Sequence, residues 1–158
     1  MKISDFLGQT WDINCIGCAI SLSHMIPPGG IISENDSFYL HQDPEVPIAG
    51  FLIIGSKRHV QSINQLTEAE YSDFNSIVWR GRKLLGGMPD IQSVTIVQEE
   101  RSAHFHLWLF PWKAWMIERY GKNSLEHVRA IMAEAKTAKN APENKEDVMR
   151  AVEMLKGG

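Results

Sequence analysis

A chain of 158 residues is one domain's worth and is long enough to bury a substantial core. Its 44% hydrophobic and 22% charged content is that of an ordinary globular protein, and a formal net charge of -3 provides no basic field to attract long nucleic acid. A small anionic ligand needs only a local cluster of donors and stays within reach.

Met1 to Trp11 holds one lysine and no apolar core, so it does not read as a secretory leader. No stretch approaches the roughly 18 consecutive apolar residues of a membrane span. A cytoplasmic protein is expected.

Residues 15 to 24 read as a short helix stopped by Pro27-Pro28-Gly29-Gly30. Ile31–Glu34 and Ser37–Gln42 read as strands around the turn pair Asn35-Asp36. Asp43 to Gly50, with two prolines and a glycine, reads as a loop, and the apolar run Phe51–Ile54 as a buried strand. Thr67 followed three residues later by Glu70 is a capping box that opens a helix, which Gly86-Gly87 ends. Ser93–Gln98 and Ala103–Phe110 read as two further strands, the second closed by Pro111. From Ser124 the composition is helical, with a break near Asn140-Ala141-Pro142. Short connections favour antiparallel pairing, so the order implies an α+β fold with an antiparallel sheet of about five strands and flanking helices.

Alternation along a strand would put His104, His106, Trp108 and Phe110 on one face, with Phe105, Leu107 and Leu109 on a plain core face. Imidazoles titrate near neutrality, bind metals and can attack phosphorus. The competing reading is two half-exposed sheet residues. The two cysteines, Cys15 and Cys18, are spaced Cys-x-x-Cys, which presents two thiolates to one metal. Tetrahedral zinc needs two more ligands, and His59 and His104 are candidates among six histidines; spacing alone does not select them. The alternative is a pair of free thiols at a helix end. Asp43 suits either a ribose-binding carboxylate or the start of a turn, and Gln98 and Ser102 flank the turn before His104 as possible phosphate donors.

Taken together, these segments resemble the histidine-triad (HIT-like) superfamily over roughly residues 13 to 112. The resemblance rests on four pieces in order: Cys15-Ile-Gly-Cys18, Asp43 to Gly50 with the strand Phe51–Ile54, Lys57-Arg58-His59, and His104-Phe105-His106-Leu107-Trp108-Leu109-Phe110-Pro111. It implies a HIT-like domain over residues 1–112 and a C-terminal helical extension over 113–158 packed on the same domain. It also implies that His106 is the nucleophile forming a nucleotidyl-histidine intermediate. His104 and His59 would join Cys15 and Cys18 on a structural Zn2+. Asp43 would bind ribose, Gln98 would hold the α-phosphate, and Ser102 would be the phosphate-binding hydroxyl. A small-molecule nucleotide and a homodimer are the implied partners.

Two positions depart from the family pattern. Trp108 stands where the third histidine is expected, and Phe51 stands where many members carry another. The galactose-1-phosphate uridylyltransferase branch, with glutamine at the third position, still transfers nucleotidyl groups. Tryptophan, however, has one N–H and no titratable site, so it cannot serve as a general acid. Departure as phosphate or pyrophosphate needs less proton help. The resulting function is a nucleotidyl hydrolase or transferase acting at an α-phosphate. The alternatives are a catalytically weakened nucleotide-binding or regulatory domain and a zinc-stabilised module that binds a protein through its helical tail. Trp112, Trp115 and Tyr120 could cover a base, line a dimer interface or pack in the core.

Overall fold

The computed structural model describes residues 1–137 and 143–158. The expected break near Asn140-Ala141-Pro142 therefore lies outside the described residues. The chain begins with a hairpin of β1 (Lys2–Ser4) and β2 (Thr10–Asp12), which the sequence pattern did not reveal because each strand is only three residues long. A short helix α1 (Ile16–Ser21) follows, then β3 (Ile31–Glu34), β4 (Phe38–Gln42) and β5 (Leu52–Ser56). The long helix α2 (Glu68–Gly86) leads into β6 (Ile91–Gln98) and β7 (His106–Lys113). Helices α3 (Ala114–Tyr120), α4 (Leu125–Ala135) and α5 (Lys145–Lys156) complete the described chain.

Five strands form one sheet in the order β3-β4-β5-β7-β6, antiparallel throughout, so the expected α+β architecture is present. The capping box opens α2 as expected: Thr67 Oγ1 accepts the Glu70 N–H at 3.2 Å and Glu70 returns a carboxylate oxygen to the Thr67 N–H at 2.8 Å. Gly81 lets this helix sit close to the sheet, since a Cβ there would meet Leu109 Cδ1 at 2.7 Å.

Pro111 does not close the last strand, which runs on to Lys113. Pairing with β5 stops at Leu109, so Pro111 lies where β7 has one open flank, and an edge position tolerates the missing N–H. The strand also begins later than expected, at His106. His104 precedes it, and the Phe105 backbone is held instead by Val60 and Ser56.

One face of the sheet packs Leu40, Leu52, Ile54, Leu107 and Leu109 against α2 and α5. The other face is covered in two separate places. At one end, α1 and the N-terminal hairpin pack around Tyr39 and Met25. At the other, α3 and α4 bury Phe110, Trp112, Met116 and Ile131 with Phe51 and Ile53. The uncovered sheet between these two clusters is the floor of the site. No described helix is long and apolar enough to cross a membrane.

Candidate functional site

Cys15 caps the N-terminus of α1, and its sulfur faces the Cys18 N–H at 3.5 Å. The helix thus brings both thiols to one point. His59, from the segment after β5, and His104, just before β7, meet them there. The sulfur-to-Nδ1 distances are 3.6 and 3.3 Å from Cys15 and 3.2 and 3.6 Å from Cys18, and the two Nδ1 atoms are 3.2 Å apart. A tetrahedral zinc shell with about 2.3 Å to sulfur and about 2.0–2.1 Å to nitrogen separates its donors by roughly 3.3–3.8 Å. The four groups therefore already stand at the spacing of a closed Cys₂His₂ shell. His104 donates Nε2–H to the Ser56 carbonyl at 2.7 Å, which leaves Nδ1 as the bare nitrogen a metal requires. Both cysteines are free thiols.

His106, the first residue of β7, is half-buried. Its Nδ1 lies 3.0 Å from the His104 carbonyl and 3.2 Å from Ser102 Oγ, whose hydroxyl donates to that same carbonyl at 2.7 Å. A carbonyl only accepts, so Nδ1 carries the proton and Nε2 carries the lone pair. The residue whose side chain joins Cys15, Cys18 and His59 thus uses its backbone to orient the neighbouring imidazole.

Two cavities meet at this ring. The first, about 350 Å³, runs across the open sheet from α1 to Asp43. The second, about 320 Å³, lies between Glu99, Arg101 and Arg129. Ser102, His106 and Trp108 line both. Register explains the floor. Tyr39, Gly55 and His106 are neighbours across β4, β5 and β7, as are His41, Ile53 and Trp108. Gly55 has no side chain, and a Cβ there would strike the Tyr39 ring at 2.5 Å.

Asp43 ends this row. Its Oδ1 accepts the N–H groups of Glu45 and Val46 at 2.8 and 2.7 Å, leaving Oδ2 for the cavity it lines. Gln42, fully buried, fastens the same loop by donating to the Ile48 carbonyl at 2.9 Å. Trp108 and Phe51 form one contact: their rings meet edge to face with centroids 5.7 Å apart, and Phe51 passes the contact on to Phe110. The two departures from the family pattern are thus a single packing arrangement that extends the α3–α4 cluster up to the site.

Gln98 is not brought to either cavity. It pairs with Leu107, whose side chain belongs to the α2-facing core, and its amide nitrogen is buried without a partner. Ser102 reaches the site, where its hydroxyl donates to the His104 carbonyl and its oxygen lies 3.2 Å from His106 Nδ1. Three residues were not anticipated. Arg101 adjoins Ser102 and had a local signal, as a cation beside the motif. Arg129 arrives from α4 and had none. His41 read only as a strand residue.

His41 and Asp43 carry opposing pH dependences. Burial lowers the His41 ring to about 4 and raises the Asp43 carboxyl to about 6. Below about 6.5 the unfolded chain protonates His41 first, so this contribution to stability is lost as pH falls toward the folded value. Between about 4 and 6 the folded state holds the Asp43 proton, so that contribution is lost as pH rises. Each contributes about 3 kcal/mol, because each group titrates roughly two pH units away from its value in the unfolded chain. Relative to the parent protein, His41→Phe is expected to gain stability on acidification and Asp43→Asn to gain it as pH rises toward neutrality. Urea denaturation at several pH values decides the matter; identical slopes in both variants would refute the assignment.

No protein-family model and no curated protein matches the sequence. Solved structures do. A HIT-like protein from Bartonella henselae superposes with a TM-score of 0.63 at 13% identity, covering 94% of this chain and 98% of that one. A zinc-bound histidine-triad family protein from Mycobacterium smegmatis gives 0.61 at 14% identity, with 91% of each chain covered. A HIT family protein from Bacillus anthracis gives 0.59 at 19% identity, covering 91% and 96%. The chain has the histidine-triad fold.

Proposed function

We propose that this chain is a nucleotidyl hydrolase or transferase of the histidine-triad type. It acts at the α-phosphate of a nucleotide or dinucleoside polyphosphate through a nucleotidyl intermediate on His106. The carrying observation is the oriented ring: Nδ1–H is tied to the His104 carbonyl, and Nε2 carries its lone pair where two cavities join. The nucleoside occupies the cavity that ends at Asp43, whose free carboxylate oxygen takes the ribose hydroxyls. The leaving phosphate occupies the cavity of Arg101 and Arg129.

In the first step the Nε2 lone pair forms an N–P bond as the bond from phosphorus to the leaving oxygen breaks. The electron pair departs with that oxygen as a phosphate anion. The hydrogen bond from Nδ1–H to the His104 carbonyl stabilises the positive charge that develops on the ring. In the second step water, releasing a proton to solvent, or a second phosphate attacks phosphorus, and the N–P electrons return to Nε2. Trp108 supplies no proton to the leaving group, so phosphate anhydrides suit the site better than substrates with basic leaving groups.

Cys15, Cys18, His59 and His104 would hold a zinc ion that ties α1 to the segment before β7. Its closed shell gives it a structural role. Residues 1–112 form the catalytic module, and 113–158 form an extension that contributes Arg129 and the aromatic backing of Trp108. The protein works in the cytoplasm, where its thiols stay reduced, and pairs as a homodimer through the open flank of the eight-residue edge strand β6.

Mass spectrometry of protein mixed with ATP or a dinucleoside polyphosphate tests the reading. A nucleotidyl adduct located on His106 is the expected result. Thermal stabilisation by AMP without any adduct would instead favour a nucleotide-binding domain that has lost catalysis, a reading to which the Phe51–Trp108 pair lends weight.

A further inference from the structure

His41 is the penultimate residue of β4, on the face that floors the first cavity, between Tyr39 and Asp43. It is 2% exposed. Its Nδ1 lies 2.7 Å from the Gln42 carbonyl, so Nδ1 carries the ring's proton and Nε2 is a bare acceptor. Among the described residues Nε2 has no partner. The sealed orphan polar atoms are Asp5 Oδ2, Gln98 Nε2 and Trp115 Nε1; Nε2 of His41 is not among them, so its open side is the cavity it lines. Burial holds the ring neutral down to about 4. The cavity lining also includes Ile16, Ile20, Tyr39 and Ile53, which are flat or apolar, beside the polar Asn14, Asp43 and Glu45.

A buried acceptor without a donor is costly, and an apolar ring would fill the same space without that cost. The donor is therefore to be sought in the ligand. On the nucleotide reading, to which this inference is tied, the phosphate lies at His106 and the ribose hydroxyls at Asp43. A lone pair repels phosphate oxygens, and the sugar already has its carboxylate. What is left is the base.

We propose that His41 is a specificity-determining residue whose Nε2 accepts a hydrogen bond from an N–H on the edge of the nucleobase. The apolar walls pack against the faces of the base, and His41 discriminates by what its edge carries. A site built around a buried acceptor rejects an analogue that lacks the matching donor, because the acceptor is then stranded.

The test is calorimetric titration of the full chain with AMP, GMP, CMP, UMP and purine riboside 5′-monophosphate, whose base carries no N–H. The tightest of the four natural nucleotides is expected to bind about tenfold more tightly than the purine riboside compound. In His41→Phe that ratio is expected to fall to within about twofold. A ratio near one in the parent protein would overturn the proposal and leave His41 merely hydrated. A ratio that survives in the variant would overturn it too. Binding of none of these compounds to the parent protein would instead defeat the nucleotide reading itself. Should the variant not fold, ¹⁵N spectra of the parent protein's histidines decide. The Nε2 resonance of His41 should move upfield with the tightest natural nucleotide and not with the purine riboside compound; equal responses to both would refute the contact.

Discussion

His106→Ala is expected to abolish adduct formation and to lower turnover at least about a thousandfold, while nucleotide affinity stays within about tenfold. The reason is the division of labour in the site. Much of the first cavity is lined by β4, β5, α1 and the Asp43 loop, and that loop is fastened by bonds that do not involve the His106 ring. The ring hangs from the first residue of β7 and is held by the His104 carbonyl and Ser102. Truncation removes the nitrogen proposed to attack and leaves the pocket. Rapid-quench turnover with a dinucleoside polyphosphate, paired with calorimetric binding of AMP, separates the two quantities. Turnover within tenfold of the parent would exclude the covalent route. Equal losses in binding and turnover would show that the ring shapes the pocket and does not react.

Loss of the metal set is expected to have the largest effect on stability. Cys15→Ser should release bound zinc and lower stability by about 3 kcal/mol or more, a fall of roughly 6–12 °C in melting temperature for a chain of this size. The four ligands join α1 to the segments after β5 and before β7, which are themselves tied by the bond from the Phe105 N–H to the Val60 carbonyl. Without the ion, two thiols and two imidazoles crowd within hydrogen-bonding reach with no centre to satisfy them. Elemental zinc content and thermal denaturation before and after chelation provide the measurement. A preparation that is metal-free as isolated and melts unchanged after chelation would sink the assignment.

Gly17 offers an independent arm. A Cβ at this position would lie 2.4 Å from the His104 ring. Alanine should favour the helix by about 1 kcal/mol on propensity alone. Gly17→Ala is nevertheless expected to weaken zinc retention, because it displaces a ligand without removing one.

The second function of His104 links these two predictions. Its side chain faces Cys15, Cys18 and His59, and its carbonyl orients His106. Disturbing the cluster is therefore expected to slow chemistry even where all site residues remain, whereas removing the nucleophile leaves the cluster intact.

Much of this molecule is encoded locally. The α+β class, the five-stranded sheet, the capping box at Thr67 and the pairing of Cys15 with Cys18 all follow from patterns within a few residues of one another. Likeness to a known motif pointed to His59 and His104 as the histidines beside the cysteines, and the fold does bring the four together. Other features were beyond local reading. Gln98 lies one residue from Val97, which pairs with Trp108 and lines the second cavity, yet it faces the opposite side of the sheet. Strand parity depends on register, and register is set by the partner strand.

The burial of His41, the arrival of Arg129 and the Phe51–Trp108 contact were decided by tertiary structure alone. Each depends on what α1, α3 and α4 cover, and the sequence by itself does not say where a helix comes to rest. Local sequence determined which elements form and which of their faces are apolar, because backbone hydrogen bonding and side-chain periodicity are short-ranged. Which polar groups share one water-poor hollow was settled only when distant elements packed across the same sheet, because desolvation is a property of everything that surrounds a group.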